Sequence, residues 1–499
     1  MSHTAIAMPH PQTDSARYRP PIAVVAVIVI CLLVIVRGPF WTIDRPDDAF
    51  FSEVALMWRQ GWMPYVHAFD VKPPGFFAAL SLAQTIVGPT RMALRLVGGL
   101  SDALTMILLL HFAWRKGVPE AGILAAALFA WGMNVLIADD CYSLLIALTT
   151  FAMMCAMAEI SLPRRAIAAG LAIGAAGVVK QTAAFEAVAI LLLLIRQAPD
   201  RATRLKAGAL YAASALVPVS LVVAYFAFKD ALYPLMVDTV VIALQRPGAS
   251  SDNVTFIEGI GRFLLNGLIL TPLVVVAATV AVIPSRFPRF REDICALRYW
   301  FVASIASVIV QRALLPSYLA LVLPSAGLLM GLGLASRLEQ RPDIARRGVA
   351  AIVATLAIMS LIRFCATHPE DLSSIERAAA AIHAAGPRPD DRLYVIGTNV
   401  RSTWLYVETG LRPPLPFIIP SQQACPFPNV GPRRIDEAFA ARPRFVITEA
   451  EYKVYGCETD NVGARIRSLL DTGGYRIVAR IGETAERYSL YERAEIRAP

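Results

Sequence analysis

Two pairs of adjacent aspartates have the residue type and placement for acid–base chemistry. Asp47 and Asp48 follow the first long apolar run of the chain, and Asp139 and Asp140 stand between two later apolar runs. A carboxylate that is partly removed from water and lies beside a hydroxyl group can act as a general base. Aspartate also caps helix N-termini, so a structural role stays open for both pairs, and capping is compatible with catalysis.

Three cations occupy comparable positions at the ends of apolar runs. Lys72 lies in the sequence VKPPG, Lys180 in VVKQT and Arg312 in QRALLPSY. A cation near the lipid headgroups can neutralise a lipid-linked phosphate. Long basic side chains near an interface also extend toward water without binding a ligand, and this simpler interpretation stays open for all three.

The composition places these groups in a membrane protein. The 499 residues are 56% hydrophobic and only 17% charged, and the mean hydropathy is +0.55. The net charge of +9 is carried largely by short loops between apolar runs. Such a distribution indicates membrane topology, and it argues against a nucleic-acid partner.

About eleven apolar runs are candidates to cross the roughly 30 Å hydrocarbon layer. This predicts a polytopic, all-α membrane protein with additional interfacial helices. The predicted spans are residues 21–37, 92–114, 118–138, 141–160, 166–179, 182–195, 207–228, 263–284, 298–311, 317–335 and 348–364. The spans 166–179 and 182–195 are short, so we expect them to be tilted, kinked or partly re-entrant.

Charge asymmetry gives the orientation. A polar tail, residues 1–20, carries Arg17 and Arg19 just before the first run, which lacks a cleavage site, so the N-terminus is predicted to be cytoplasmic. The alternate loops are then basic throughout, provided that residues 73–88 form an interfacial helix and do not cross. Residues 38–91 become one long outer loop, and the chain is predicted to lie in a bacterial inner membrane.

The composition changes after residue 364. Residues 365–499 alternate strand-like runs with helical ones, which predicts a small α/β domain on the periplasmic side. The strands are expected at 393–397, 445–448, 475–481 and 488–491, and the helices at 372–385 and 465–471. Cys425 and Cys457 lie in this region and form a plausible disulfide if it faces an oxidising compartment.

Several common site motifs are absent from the sequence. There is no GxxxxGK[ST] loop, no CxxC pair and no HExxH motif. Nucleotide hydrolysis and a structural zinc site are therefore not expected. No cofactor is predicted, and a divalent cation, which would need aspartate oxygens, is not supported by the spacing of possible ligands.

The ordered residues of the outer loop resemble a known family. Asp47, Asp48, Phe51 and Glu53, followed by Gly61, Pro64 and Lys72-Pro73-Pro74, resemble the first periplasmic loop of GT-C glycosyltransferases of the protein-mannosyltransferase and aminoarabinose-transferase type. Further matches follow in order at Asp140, Gly170, Gly174, Lys180, Tyr318 and Pro324. The resemblance covers most of residues 40–330, with the transmembrane glycosyltransferase region extending over 21–364.

This resemblance implies an inverting enzyme that moves a sugar from a polyprenyl phosphate to an acceptor on the periplasmic face. The acceptor would be lipid A or core oligosaccharide, a polysaccharide or a protein of the envelope. By likeness, Asp47 is the leading base candidate, Asp140 a second essential carboxylate, and Lys72 a ligand of the donor phosphate. The remaining assignments are Lys180 and Arg312 to the donor phosphate, and Glu53, Asp139 and Tyr318 to substrate.

Three departures from the family pattern bear on these roles. Asp48 stands where glutamate is usual, Ser317 stands where many relatives have histidine, and Asp139 doubles the second carboxylate. The base therefore remains open between Asp47 and Asp48.

Two other classes of protein would have the same polytopic membrane architecture. A secondary transporter or lipid flippase would also be polytopic, but it would place ionisable groups near the bilayer midplane and often show repeated halves. A non-catalytic assembly subunit on the same scaffold is the other alternative. It should tolerate a mutation of Asp47 that abolishes transfer in an enzyme.

Overall fold

The computed structural model describes most of the chain. The described segments are residues 47–136, 138–245, 290–311, 315–337, 341–366, 372–397, 400–418, 433–449, 461–482 and 488–494, with isolated residues at 29, 31, 32 and 261. Arg312, Cys425 and Cys457 lie outside these segments, so their predicted roles are untouched by the structure. The predicted span 263–284 and nearly all of 21–37 also lie outside them.

The described residues are predominantly helical. The helices, numbered here in chain order, are α1 (Asp48–Arg59), α2 (Gly75–Val87), α3 (Arg91–Arg115), α4 (Pro119–Leu136), α5 (Asp140–Ala156), α6 (Leu162–Gly177), α7 (Ala183–Gln197), α8 (Arg201–Phe228), α9 (Leu232–Met236, continued by the π-helix Val237–Ile242 and by Ala243–Gln245), α10 (Arg291–Val310), α11 (Leu323–Arg337, preceded by the 3₁₀-helix Pro316–Val322), α12 (Pro342–Ala366), α13 (Ser373–Ala384), α14 (Trp404–Thr409, preceded by the 3₁₀-helix Val400–Thr403), α15 (Arg433–Ala440) and α16 (Asn461–Thr472).

Among these helices, six are long and apolar enough to cross a membrane. They are α3, α4, α8, α10, the continuous segment Ser317–Arg337 and the segment Arg346–Ala366 of α12. Their positions agree with predicted spans. Helices α5, α6 and α7 also coincide with predicted spans, but at 17, 16 and 15 residues they reach only about 22–26 Å. The membrane character is therefore clear, whereas the total of about eleven spans remains a prediction.

The outer loop folds back onto the helix bundle. Residues 73–88, predicted to form an interfacial helix, contain α2, on which Leu82 and Ile86 are exposed and Phe76 and Phe77 are buried. The backbone N–H of Gly75 donates to the carbonyl of Val178 at 2.7 Å. A Cβ atom at Gly75 would lie 2.5 Å from that oxygen, so only glycine permits this approach. The contact places Lys72 and Lys180 at the same end of the bundle.

Two glycines fix the helix that leads to Lys180. Gly170 and Gly174 of α6 face α8, where an added Cβ would collide with the carbonyl oxygens of Tyr211 and Ala215. Small residues four positions apart allow two membrane helices to approach closely. The end of α6, and with it Lys180, is thereby held in a defined position.

The C-terminal residues form a four-stranded sheet, and a helical segment next to β1 in the chain packs against α1. Strands β1 (Leu393–Ile396), β2 (Phe445–Glu449), β3 (Tyr475–Ile481) and β4 (Tyr488–Arg493) lie where the sequence predicts them and run in the order β1-β2-β4-β3, with β1 and β2 parallel and β4 antiparallel to β2 and β3. The Val400–Thr403 turn and α14 contact α1. The N–H of Phe69 donates to the carbonyl of Pro416 at 2.7 Å. This region therefore braces the outer loop, and its status as a separate periplasmic domain stays a prediction.

Candidate active site

The first part of the site is a partly open group of one lysine and two aspartates. The Nζ atom of Lys72 lies 3.9 Å from Oδ2 of Asp47 and 3.6 Å from Oδ2 of Asp70. The Asp47 side chain is 41% exposed, whereas those of Lys72 and Asp70 are 15% and 6% exposed. Asp47 is thus the carboxylate of this group that a substrate can reach.

The surroundings of Lys72 keep it protonated. Burial by itself lowers the pKa of Lys72, but Asp70 and Asp47 outweigh this effect, and the net pKa lies above the ordinary value. The ammonium lies 4.5 Å from the centre of the Phe51 ring. Tyr65 donates its hydroxyl hydrogen to the Lys72 carbonyl at 2.7 Å, which fixes the backbone. A permanently charged, positioned ammonium is suited to bind a phosphate.

The second part of the site is fully buried. Nη1 of Arg95 lies 3.0 Å from Oδ2 of Asp48 and 3.3 Å from Oδ2 of Asp140, and both aspartate side chains are 0% exposed. One guanidinium from α3 therefore joins the start of α1 to the start of α5. Charges removed from water in this way must be paired. Arg95 provides this pairing for Asp48 and Asp140, so both aspartates help to hold α1 and α5 in place.

Asp139 caps a helix and lies within electrostatic reach of both lysines. It caps α5 by accepting a hydrogen bond from the N–H of Tyr142 at 2.9 Å, as the capping interpretation predicts. Burial raises the pKa of Asp139, while Lys180 and Lys72 lower it and Asp47 raises it. Asp139 therefore shares one electrostatic environment with both lysines and with Asp47.

Lys180 is surrounded by aromatic rings and hydrogen-bonding groups. Its ammonium donates to the hydroxyl of Tyr142 and lies 3.8 Å and 5.0 Å from the ring centres of Tyr142 and Tyr318. The Tyr142 hydroxyl donates in turn to Oε1 of Gln311 at 2.8 Å. A cation over two aromatic faces is stabilised by the ring quadrupoles. Lys180 and Tyr318, which are far apart in sequence, are thus close together in the folded chain.

Gln181 joins the segment that carries Lys180 to the segment that carries Lys72. Nε2 of Gln181 donates to the carbonyls of Val71 and Thr239, each at 2.8 Å. Val71 precedes Lys72, and Thr239 lies in the π-helix that continues α9. Single-turn π-helices are frequent at functional sites. The two lysine-bearing segments and α9 are therefore held together at this end of the bundle.

Glu53 differs from the other predicted site residues. It is 2% exposed on α1, and burial raises its pKa to about 8. Within the described part of the chain, its Oε2 atom has no hydrogen-bond partner. The side chain is thus neutral near pH 7, and no described contact joins it to the Lys72 group, so its assignment to substrate stays a prediction.

The structure therefore brings most of the predicted residues together at one end of the helix bundle. It adds four residues that the sequence did not single out. Asp70 joins the Lys72 group, Arg95 bridges two aspartates, Tyr142 contacts Lys180, and Gln181 links the segments. The available signal for Arg95 was a cation one turn into a predicted membrane span. Among the described residues, no group of three or more His, Cys, Asp or Glu side chains is placed to hold a metal ion, so the geometry adds no argument for a divalent cation.

Comparison with known proteins identifies the fold. No family model and no curated protein matches the sequence. The structure of ArnT from Cupriavidus metallidurans bound to undecaprenyl phosphate matches with a TM-score of 0.64 and 16% identity, covering 96% of this chain and 98% of that chain. AftD from mycobacteria matches at 0.56 and 14% identity, covering 96% and 40%. An Archaeoglobus fulgidus oligosaccharyltransferase matches at 0.50 and 11% identity, covering 96% and 75%.

These neighbours are all GT-C glycosyltransferases. The chain has the GT-C fold, and the resemblance seen in the sequence is confirmed at that level.

Proposed function

We propose that the chain is an inverting glycosyltransferase that moves a sugar from a polyprenyl-phosphate donor to an envelope acceptor on the periplasmic face. The observation that carries this proposal is the pairing of an accessible carboxylate, Asp47, with a buried, permanently charged ammonium, Lys72, 3.9 Å away. The structurally similar ArnT, whose crystal structure contains bound undecaprenyl phosphate, supports the class of donor.

The roles follow from the reaction. The carboxylate of Asp47 removes the proton of the acceptor hydroxyl as that oxygen attacks the anomeric carbon of the sugar. The bond between the anomeric carbon and the phosphate oxygen breaks, and the polyprenyl phosphate leaves with the electron pair. Lys72 and Lys180 stabilise the charge that develops on this phosphate. Attack opposite the leaving group inverts the configuration.

The geometry favours Asp47 over Asp48 as the base, because Asp48 is fully buried against Arg95. We assign Asp48 and Asp140 a positioning role through that arginine. Asp139 is the second candidate base, since burial raises its pKa and both lysines lie close enough to influence it. Arg312, Glu53 and Tyr318 remain proposed donor or substrate contacts.

The function is tested by comparing envelope glycolipids, polysaccharides and glycoproteins of a deletion strain with those of the parent by mass spectrometry. We expect one sugar modification to disappear and to return with the wild-type gene but not with Asp47→Asn. Full restoration by Asp47→Asn would favour a non-catalytic subunit. An unchanged set of glycans with altered export of a lipid-linked sugar would favour a transporter.

The orientation is tested separately with reporter fusions. A reporter that is active only in the periplasm should be active after Arg363 and near Asp252, and inactive near Arg289. Activity near Arg289 would invert the topology, and the proposed site would then face the cytoplasm.

A further inference from the structure

A polar cavity lies at the opposite end of several helices that build the candidate active site. Helix α5 begins at the site and ends at Ala156, α6 ends near Lys180 and begins at Leu162, and α10 ends beside Gln311 and begins at Arg291. A cavity of about 280 Å³ lies at these opposite ends, with Lys116, Glu159, Arg165, Gln197, Glu292 and Asp293 among its lining residues. Ligand pockets usually occupy about 300–1,000 Å³, so this cavity suits a small polar group.

One wall of the cavity is neutralised internally. Nζ of Lys116 lies 2.9 Å from Oδ1 of Asp293 and 3.7 Å from Oε1 of Glu159. Nη2 of Arg115 lies 2.9 Å from Oε2 of Glu159. Two cations and two carboxylates therefore balance one another. The charge that a ligand meets is set by the remaining lining residues.

Arg165, another lining residue, offers a place for an anion. Nη1 of Arg165 donates to Oε1 of Gln197 at 2.8 Å, whereas its buried Nε atom has no hydrogen-bond partner in the described segments. Arg165 lies in the first turn of α6, whose N-cap Ser161 makes no side-chain capping bond. A guanidinium at a helix N-terminus is favourable for a phosphate.

The same cavity offers a place for a cation beside that anion. Glu292, in the first turn of α10, lines the cavity and is exposed. A ligand that satisfied both Arg165 and Glu292 would carry a phosphate and an ammonium group. Ile160 lines the cavity, and Ile160, Ile167 and Leu171 are all exposed. These exposed apolar side chains match acyl chains and favour a lipid over a soluble ligand.

We propose that this cavity binds the phosphoethanolamine headgroup of a membrane aminophospholipid, with the phosphate on Arg165 and the ammonium on Glu292. By the predicted topology, this site lies in the cytoplasmic leaflet, and it is independent of the proposed transfer reaction.

The proposal is tested by native mass spectrometry of the full-length protein in detergent, titrated with phosphatidylethanolamine or with phosphatidylglycerol of the same acyl chains. Phosphatidylethanolamine should bind about tenfold more tightly, which corresponds to about 1.4 kcal/mol, because its ammonium gains a charge-assisted hydrogen bond to Glu292. Glu292→Gln should remove this preference and leave phosphatidylglycerol binding unchanged. Arg165→Gln should weaken both lipids, whereas Arg164→Gln, an exposed neighbour that does not line the cavity, should weaken neither.

Equal binding of the two lipids by the wild type, or equal effects of Arg165→Gln and Arg164→Gln, would overturn the proposal. Melting temperatures identify a misfolded variant, and exposed Glu292 provides the test if Arg165→Gln does not fold. Soluble glycerophosphoethanolamine is the competitor. If it displaced the lipid at equal concentration, the headgroup chemistry would hold but the membrane lipid would not be the ligand.

Discussion

Asp47 and Asp48 are neighbours in sequence, yet they belong to two different regions of the site. Asp47 is 41% exposed and faces Lys72 at 3.9 Å, whereas Asp48 is 0% exposed and faces Arg95 at 3.0 Å. Successive residues at a helix start point about 100° apart, which is enough to separate the two environments. Asp47 has the access to solvent that chemistry needs, and the buried Asp48 has the charge pairing that a stable structure needs.

The energies of the two regions should differ accordingly. Removing one partner of a buried ion pair costs about 3–5 kcal/mol, because the other charge is left uncompensated. A pair with one partner open to solvent, as Asp47 is, is closer to the surface case, in which an ion pair contributes about 0.2–1 kcal/mol. Mutations in the Arg95 group should therefore affect stability first, and mutations of the exposed Asp47 should affect function with little loss of stability.

The largest expected effect is that of Arg95→Met on folding. It removes the guanidinium that the buried carboxylates of Asp48 and Asp140 share, so the free energy of unfolding should fall by about 3–5 kcal/mol. Chemical denaturation in detergent measures this loss, and the exposed Arg59→Met should change it by less than about 0.5 kcal/mol. Adding Asp48→Asn and Asp140→Asn should restore part of the loss. Equal stability of Arg95→Met and Arg59→Met would show that the buried group is not structural.

Glu53 provides a buried carboxylate with no described cation, for comparison with Asp48 and Asp140. Because burial raises the pKa of Glu53 from 4.5 to about 8, the folded protein keeps a proton that the unfolded chain releases. The resulting stability is complete below about pH 4.5 and is lost as the pH rises toward 8. Melting temperatures from pH 5 to 8 should therefore fall less for Glu53→Gln than for the wild type. Parallel curves would indicate that Glu53 is charged in the folded protein.

Substitutions of Lys72 test whether the Asp47–Lys72 group binds the donor phosphate. Lys72→Ala should weaken binding of undecaprenyl phosphate about tenfold, since a charge-assisted hydrogen bond is lost. Lys72→Arg should restore binding only in part, because a planar fork replaces a compact ammonium. Isothermal titration in detergent measures both, with the exposed Lys229→Ala as control. Unchanged affinity in Lys72→Ala would remove Lys72 from the phosphate site.

The smallest expected effect is that of Tyr142→Phe. This change removes the hydroxyl that contacts Lys180 and Gln311 but keeps the ring, so affinity for undecaprenyl phosphate should fall only a few-fold. Tyr142→Leu also removes the ring under the Lys180 ammonium and should cost more. Identical affinities for the two variants would mean that the ring does not position Lys180.

The sequence predicts helix positions well because each apolar run must be long enough to approach or cross a hydrocarbon layer. It also identifies Lys72, Lys180, Asp47 and Asp139 as charges at helix ends. It could not separate Asp47 from Asp48, because burial depends on which side of α1 packs against α3. The role of Arg95 could not be predicted for a similar reason. Only the folded chain shows that its guanidinium contacts carboxylates from α1 and α5.

The most direct test is the transfer rate in membrane vesicles of Asp47→Asn and Asp48→Asn, using the product that the deletion strain identifies. Both variants are compared at matched amounts of folded protein. We expect Asp47→Asn to lower the rate by about 10²-fold or more with little change in melting temperature, because it removes the basic carboxylate and only a partly exposed ion pair. Asp48→Asn should lower the melting temperature while its folded fraction retains transfer within about tenfold of wild type. A fully stable but inactive Asp48→Asn, together with an active Asp47→Asn, would contradict the division of roles between the two aspartates.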